Sequence, residues 1–309
     1  MKSTCINCFK LSEVKYLHKL GVKNWELLSC FIPQNLSNHY HHYQRKDLEY
    51  SCTQSIKILK NKNKIHNLTP SKWKPPFIFF SKKKNKILNT PNWLSKSLDN
   101  QGIILKPNSL NAGKNILKIH RKDSELIFVE IFSSKYKKYK KNVTNPVTTK
   151  DLINIWENHY GIKSDLLIMP YLNNNKIFPK SYSTAILRVI TTFGDLKKFN
   201  IDNVWWEIPL NHRNIAIADI NSNFMPLIKE LSEEETKIIE NWSKFLKKDT
   251  KKRFISEALN ASIKMHKKLP LIDTVAWDWI IGNKLTLLEG NSSYGLLIPQ
   301  SIKFKNNQK

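Results

Sequence analysis

Gly282-Asn283, set between two apolar runs, marks a β-hairpin near the C-terminal end of this 309-residue chain. Glycine accepts the positive φ that two-residue hairpin turns favour, so a Gly-Asn pair between strand-forming residues is a strong hairpin signal. With residues 282 and 283 as the loop, Asp278 faces Leu287 and Glu289 faces Ala276. Cross-strand partners share a face of the sheet, so Asp278 and Glu289 are expected on one face as diagonal neighbours, roughly 7–8 Å apart at the backbone. Asn291, two residues beyond Glu289, points the same way. Two carboxylates and a carboxamide among Trp277, Trp279 and leucines are costly to bury alone, and a hard divalent cation meets that need. Mg2+ suits the set because it takes one or two carboxylates and completes its octahedron with water and phosphate oxygens. Solvated acids on the open face of a hairpin are the alternative that spacing leaves open.

Glycine is scarce elsewhere: the chain has 8, where average usage of about 7% gives roughly 22. Gly282, Gly290 and Gly295 crowd around the hairpin, and Gly113 sits in a loop after a strand. The length, with 40% hydrophobic and 11% aromatic residues, excludes a wholly disordered chain and allows one large domain or two modest ones. A formal charge of +26 invites a nucleic-acid reading. However, the arginines are only Arg45, Arg121, Arg188, Arg213 and Arg253, and the excess is lysine spread along the whole chain with abundant Asn and Ile. That distribution reads as compositional drift, so nucleic acid is not the expected partner. No run approaches the about 18 apolar residues of a membrane span, and the first residues lack an apolar signal core, so a cytoplasmic protein is expected. Cys5, Cys8, Cys30 and Cys52 all fall in the first sixth of the chain, too few to staple it. Cys5-x-x-Cys8, near His39, His41 and His42, lacks a second pair at finger-like spacing, and reduced thiols are expected instead of zinc.

Residues 1–74 read as a mainly helical N-terminal region, with Leu11, Val14, Leu17 and Leu20, then Leu48, Cys52, Ile56 and Leu59, at helical spacing. A Lys/Asn/Pro-rich stretch broken by FIFF at 77–80 marks entry into the main fold. Short β-branched runs at 102–106, 116–119 and 126–131 predict a small antiparallel sheet, and 166–169 and 185–191 further strands. Thr149 is placed to cap a helix that carries Leu152, Ile155, Trp156 and His159 on one face and stops at Gly161. Ser232 and Glu235 have capping-box spacing before a stripe of Ile238, Ile239, Trp242, Phe245 and Leu246. A further helix over 251–268 carries His266 as a packing residue. The fold class is α+β, without visible internal repeats.

Asp278-x10-Glu289-Gly290-Asn291 followed by Ser-Ser-Tyr-Gly resembles the metal-binding end of the ATP-grasp superfamily. The wording AWDW…LLEGNSSYG resembles the sugar-transfer associated ATP-grasp proteins, related to alpha-L-glutamate ligases, over roughly residues 75–302. The resemblance implies two α/β subdomains clamping ATP: a small one at 75–165 with the phosphate loop, and a large one at 166–309 with the adenine hinge and the metal-binding hairpin. It implies that Lys106 contacts the phosphates, with Ser109 to Gly113 as a loop bearing one glycine where relatives usually carry two or more. Met169, Pro170, Tyr171 and Leu172 fall at the adenine hinge. Residues 178–192 resemble a stretch of the subfamily in which Arg188 is the catalytic candidate for steadying the transferring phosphoryl group, a task for a planar guanidinium; Ser183 and Thr184 assist. Residues 205–220 lie where relatives carry an acceptor-facing region, which makes His212 and Arg213 substrate-contact candidates.

The activity so implied is a ligase dependent on ATP and one or two Mg2+ ions, which activates a carboxylate as an acyl-phosphate for an amine or similar acceptor. The substrate would be a small molecule or sugar-linked group in surface polysaccharide or glycoconjugate synthesis. A kinase of the same superfamily, and a basic nucleic-acid-binding protein on a degenerate scaffold, are the alternatives. The sequence offers no Ser/His/Asp or Cys/His set.

Overall fold

A computed structural model describes residues 53–83, 89–109, 115–123, 125–131, 138–142, 146–161, 164–193, 198–211, 214–224, 230–248, 251–269, 272 and 274–292. Two antiparallel sheets organise them. The first contains β1 (Ile78–Phe80), β2 (Ile103–Pro107), β3 (Ile116–Lys122), β4 (Glu125–Ile131), β5 (Lys138–Asn142) and β6 (Leu166–Pro170), in the order β1-β6-β2-β3-β4-β5. β6 is buried at every position, which fits its unbroken apolar run LLIMP and its place between β1 and β2. Its hydrogen bonds lie in the first sheet, with β1 and β2. Helices α3 (Asn92–Asn100) and α4 (Thr149–Tyr160), whose ranges flank the strands β2 to β5 in sequence, bury Leu94, Leu98, Leu152 and Trp156 in this sheet's core.

The start of α4 corrects one residue. Thr148, not Thr149, is the N-cap: its hydroxyl accepts from the Asp151 amide at 3.2 Å, and the Asp151 carboxylate accepts from the Thr148 amide at 2.8 Å. Aspartate at the third helical position closes a reciprocal box that Thr149 has no partner to form. Gly161 ends the helix at φ 64°, a left-handed conformation that favours glycine.

The second sheet contains β7 (Ile186–Phe193), β8 (Phe199–Pro209), β9 (Ile215–Asp219), β10 (Thr274–Ile281) and β11 (Leu285–Asn291), ordered β11-β10-β7-β8-β9. One face packs on α5 (Glu233–Leu246) and α6 (Lys251–His266) through Trp206, Trp242, Phe245, Trp277 and Trp279. The expected capping box of Ser232 and Glu235 is present at the start of α5. Two short helices, α1 (Thr53–Leu59) and α2 (Lys62–Leu68), join the same core through Leu59 and Ile65. The described end of the N-terminal region is therefore built into the second sheet's core; the stripe of Leu11, Val14, Leu17 and Leu20, Leu48 of the second stripe and all four cysteines lie outside the described residues.

His266 packs as expected, with its ring fully buried. Nε2 stands 2.8 Å from the Ile272 carbonyl oxygen, an acceptor, so Nε2 carries the proton; Nδ1 then accepts from the Thr191 hydroxyl at 2.8 Å. Burial pushes this imidazole down to about 4, against the upward pull of the Ile272 bond. Between pH 6.5 and 4 the unfolded chain binds a proton that the folded one refuses, so stability falls as pH falls through that window. A His266→Gln variant should lose about 3 kcal/mol less than wild type when urea unfolding is compared at pH 7 and pH 4. Parallel losses in both proteins would show that the ring is not the source.

Candidate functional site

The site is built on the hairpin, by a register different from the expected one. Ile281 pairs with Leu285, so the loop is three residues, 282–284. A one-residue slip sends every side chain to the other face, and alone it would have separated Glu289 from Asp278. A bulge restores the facing: the register shifts between Asp278 and Trp279, Leu288 is left over, and Asp278 sits directly opposite Glu289, with Asn291 opposite Ala276. Gly282 also acts differently from expectation. It has no positive φ, and is required because a Cβ would stand 2.8 Å from the Asn173 carbonyl oxygen. Gly290 meets a similar demand, since its Cβ would fall 2.7 Å from the Trp277 ring.

β10 pairs with β7 so that Asp278 faces Arg188, and Trp205 of β8 faces Arg188 from the other side. Side chains alternate along strands, so Trp277 and Trp279 enter the core while Arg188, Glu207, Asp278 and Glu289 occupy the opposite face. That face and the first sheet enclose a cavity of about 370 Å3. The first sheet contributes Ile104, Lys106 and Met169 to the lining, and α2 contributes Lys62.

Of the residues expected at the site, Lys106, Met169, Pro170, Tyr171, Leu172, Arg188, Asp278 and Glu289 line this cavity, as do Ser183 and Thr184. Asn291 joins through its side chain, whose amide donates to Asp278 Oδ2 at 3.4 Å and Glu289 Oε1 at 3.1 Å. Ser109 is exposed and does not line the cavity. Gly113, His212, Arg213 and Gly295 lie outside the described residues. The Tyr171–Leu172 segment is pinned: the Tyr171 amide donates to the Gly102 carbonyl at 2.9 Å, its hydroxyl accepts from the Thr184 amide at 3.2 Å, and Thr184 Oγ1 donates to the Leu172 carbonyl at 2.5 Å. The Tyr171 amide, one main-chain donor of the expected hinge, is thus engaged within the protein.

Two charged cavity residues escaped the sequence reading. Lys62 is one lysine among dozens, and nothing in its spacing marks it. Its backbone ties the helix to the end of β2, with the Lys62 amide donating to the Asn108 carbonyl at 3.1 Å and the Asn63 amide to Asn108 Oδ1 at 2.9 Å. Glu207 had a signal, an acid inside the apolar strand sequence VWWEIP.

Charges dominate the chemistry. Arg188 grips Asp278 with two donors, Nε to Oδ1 at 2.5 Å and Nη2 to Oδ2 at 2.7 Å, while Nη1 holds Glu207 Oε1 at 2.8 Å. Burial pushes the Asp278 carboxyl up to about 7, against the opposing pull of Arg188. Burial also pushes Lys106 down to about 8, with Glu289 pulling it up and Lys62 down. Lys62 is lowered by burial too, against Glu289. Glu289 goes the other way: burial raises it, but Lys106, Lys62, the Asn291 amide and Arg188 together outweigh burial and hold it below the usual carboxylate range. The cavity thus sets three cations, Lys62, Lys106 and Arg188, against three carboxylates, Glu207, Asp278 and Glu289, and the two ammonium groups beside Glu289 are donors suited to an anionic ligand.

Among the described residues no group of three or more His, Cys, Asp or Glu side chains is gathered to hold a metal. The donors are instead two carboxylates and a carboxamide, all oxygen-bearing and linked through one amide. That chemistry fits Mg2+, which needs few protein ligands, and does not fit a four-donor structural site. No described helix is long and apolar enough to cross a membrane.

No family model matches the chain, and neither does any curated protein. Among solved structures it is similar to N5-carboxyaminoimidazole synthetase from Staphylococcus aureus complexed with ADP, at 13% identity over 78% of this chain and 47% of that one, TM-score 0.43. It is also similar to D-alanine–D-alanine ligase from Bacillus anthracis complexed with ATP, at 13% identity over 84% of this chain and 72% of that one, TM-score 0.42. The chain spans less than half the length of the first.

Proposed function

We propose that the cavity binds Mg-ATP between two ATP-grasp subdomains, and that the chain is an ADP-forming ligase acting on a carboxylate. One observation carries this reading: buried Lys62, Lys106 and Asp278 and half-buried Glu289 line one cavity closed by two sheets, with Arg188 set between acids. A polyphosphate with its cation needs both halves of that arrangement. Lys62 and Lys106 hold phosphate oxygens, and Ile104, Met169, Leu172 and Ile186 offer apolar walls to a purine. Asp278, Glu289 and Asn291 hold Mg2+, which when bound neutralises phosphate charge. We take the first subdomain to run through Pro170, a reading supported by the pairing of β6 in the first sheet, and α1 and α2 to go with the second, whose core they join.

In the reaction proposed, a substrate carboxylate oxygen attacks the γ-phosphorus, the bond to the bridging oxygen breaks and ADP leaves. An amine then attacks the acyl carbon and inorganic phosphate departs. The protein's part is positioning and charge stabilisation, with no side-chain nucleophile. Arg188 faces the group in transfer. Resemblance of the hairpin and of the β7 sequence to sugar-transfer associated proteins supports a sugar-linked substrate of glycoconjugate synthesis, and dependence on ATP a cytoplasmic place of work.

Thermal unfolding with Mg-ATP tests the reading. At a nucleotide concentration of about 100 times Kd, wild type should gain roughly 2.7 kcal/mol, several degrees for a domain of this size. Glu289→Ala, and wild type with ATP and chelator, should shift much less. No shift in wild type at saturating Mg-ATP removes the basis of the proposal. ADP formation with a stable phosphorylated product and no dependence on an amine would point to the kinase, acting on a small molecule or sugar.

A further inference from the structure

Arg188 carries more ion pairing than a substrate-binding arginine needs. Its Nε–Nη2 edge is closed on Asp278 at 2.5 and 2.7 Å and its Nη1 on Glu207 at 2.8 Å, so its strongest donors are spent on protein carboxylates. Asp278 is only 3% exposed and offers both oxygens to the guanidinium. A cation entering beside Glu289 and a guanidinium gripping Asp278 therefore compete for the same carboxylate. Glu207 differs from Asp278 in position. It lies on β8, beyond Arg188 from the hairpin, and its Oε1 is also held by the Trp205 indole N–H at 3.2 Å. The Arg188 carbon Cζ stands 5.9 Å from the Trp205 ring centroid, so this side of the guanidinium is supported independently of Asp278.

We propose that Arg188 latches Asp278 in the resting site, and that Glu207 is the positioning residue that retains the guanidinium when a divalent cation takes the carboxylate. The Nε–Nη2 edge then turns toward an anionic group in the cavity. Cation and anion become coupled ligands: each makes room for the other at one side chain. The inference rests on the Mg-nucleotide reading above and adds an order to it, with the ion admitted before Arg188 engages its substrate.

The test uses the full chain and Mn2+ alone, with affinity read from loss of the free-ion electron paramagnetic resonance signal. Arg188→Gln should bind Mn2+ about tenfold more tightly than wild type, on the scale of ordinary coupling between two ligands, because the ion no longer displaces a guanidinium. Glu207→Gln, which leaves Arg188 no second carboxylate, should bind it several-fold more weakly. Near-ultraviolet circular dichroism establishes that each variant is folded. Should Arg188→Gln not fold, wild type labelled with 15N at arginine Nε answers the question, since the chain has only five arginines. Mg2+ should move one Nε–H resonance, the one missing from Arg188→Lys. Equal or weaker Mn2+ binding by folded Arg188→Gln, or a resonance indifferent to saturating Mg2+, overturns the latch and leaves the metal site standing. Mn2+ binding by neither wild type nor Arg188→Gln overturns the metal site itself.

Discussion

Lys106→Met will lower kcat/KM for ATP-dependent turnover about 10²–10³-fold, the cost of removing one preorganised charge from a water-poor site. The position makes the loss hard to compensate. Lys106 is 3% exposed and sits on β2, held between β6 through its pairing with Leu167 and β3 beyond, so its ammonium has little freedom to be replaced by a neighbour. Lys62 reaches the same cavity from another element and still faces Glu289, which is why some nucleotide affinity should survive. Methionine matches the length of the lysine stem without the charge, and burying it removes a desolvation cost, so the melting temperature should stay within a few degrees of wild type. ADP release assayed beside thermal unfolding separates the two effects. Turnover near the wild-type level in Lys106→Met would sink the assignment of this lysine to the phosphates, whatever the fate of the metal site.

Trp277→Ala is expected to cost about 3–5 kcal/mol of stability, the range for truncating a large buried aromatic side chain. Trp277 is fully buried, and its indole N–H donates to Thr191 Oγ1 at 2.8 Å. It pairs across the hairpin with Gly290, whose missing side chain leaves room for the ring, and Leu59 of α1 closes the same spot. Its removal opens a cavity beneath the strand that carries Glu289 and Asn291, bordered by a glycine that cannot fill it. The urea midpoint should fall with an unchanged slope, because the surface exposed on unfolding barely alters. Loss under 1 kcal/mol would mean that the second core does not depend on this ring. Gly290→Val probes the opposite error, adding volume where the ring already stands, and should be destabilising by overpacking.

Much of the local structure was legible in advance. Strand alternation, the capping box at Ser232, the stop at Gly161 and the apolar run of β6 depend on neighbours a few residues apart, and sequence displays such neighbours directly. Boundaries were less secure: the cap of α4 turned on which threonine stood three residues before an acid. The hairpin is the instructive case. Turn chemistry indicated where the chain reverses, but the loop is one residue longer than expected and Leu288 is extra, two errors that cancel and return Glu289 to the side of Asp278. Facing survives such paired slips because side chains alternate with period two, whereas the exact pairing does not, and the expected diagonal neighbours become direct partners.

What the sequence determined by itself was thus a set of chemical types on a short-range pattern: acids and an amide on one face of a hairpin, a lone arginine on a strand, tryptophans on the other face. What only the tertiary structure decided was which charges meet. Lys62 lies 227 positions from Glu289 in numbering, and it matters because α2 brings it into a cavity where burial lowers its pKa and that carboxylate draws it up. Glu207 gains its role from strand order, which sets β8 beside β7. In a chain with 51 basic residues, spacing cannot tell a buried lysine from a solvated one. Removal from water changes what a charge can do, and that is settled by packing between segments far apart in the chain.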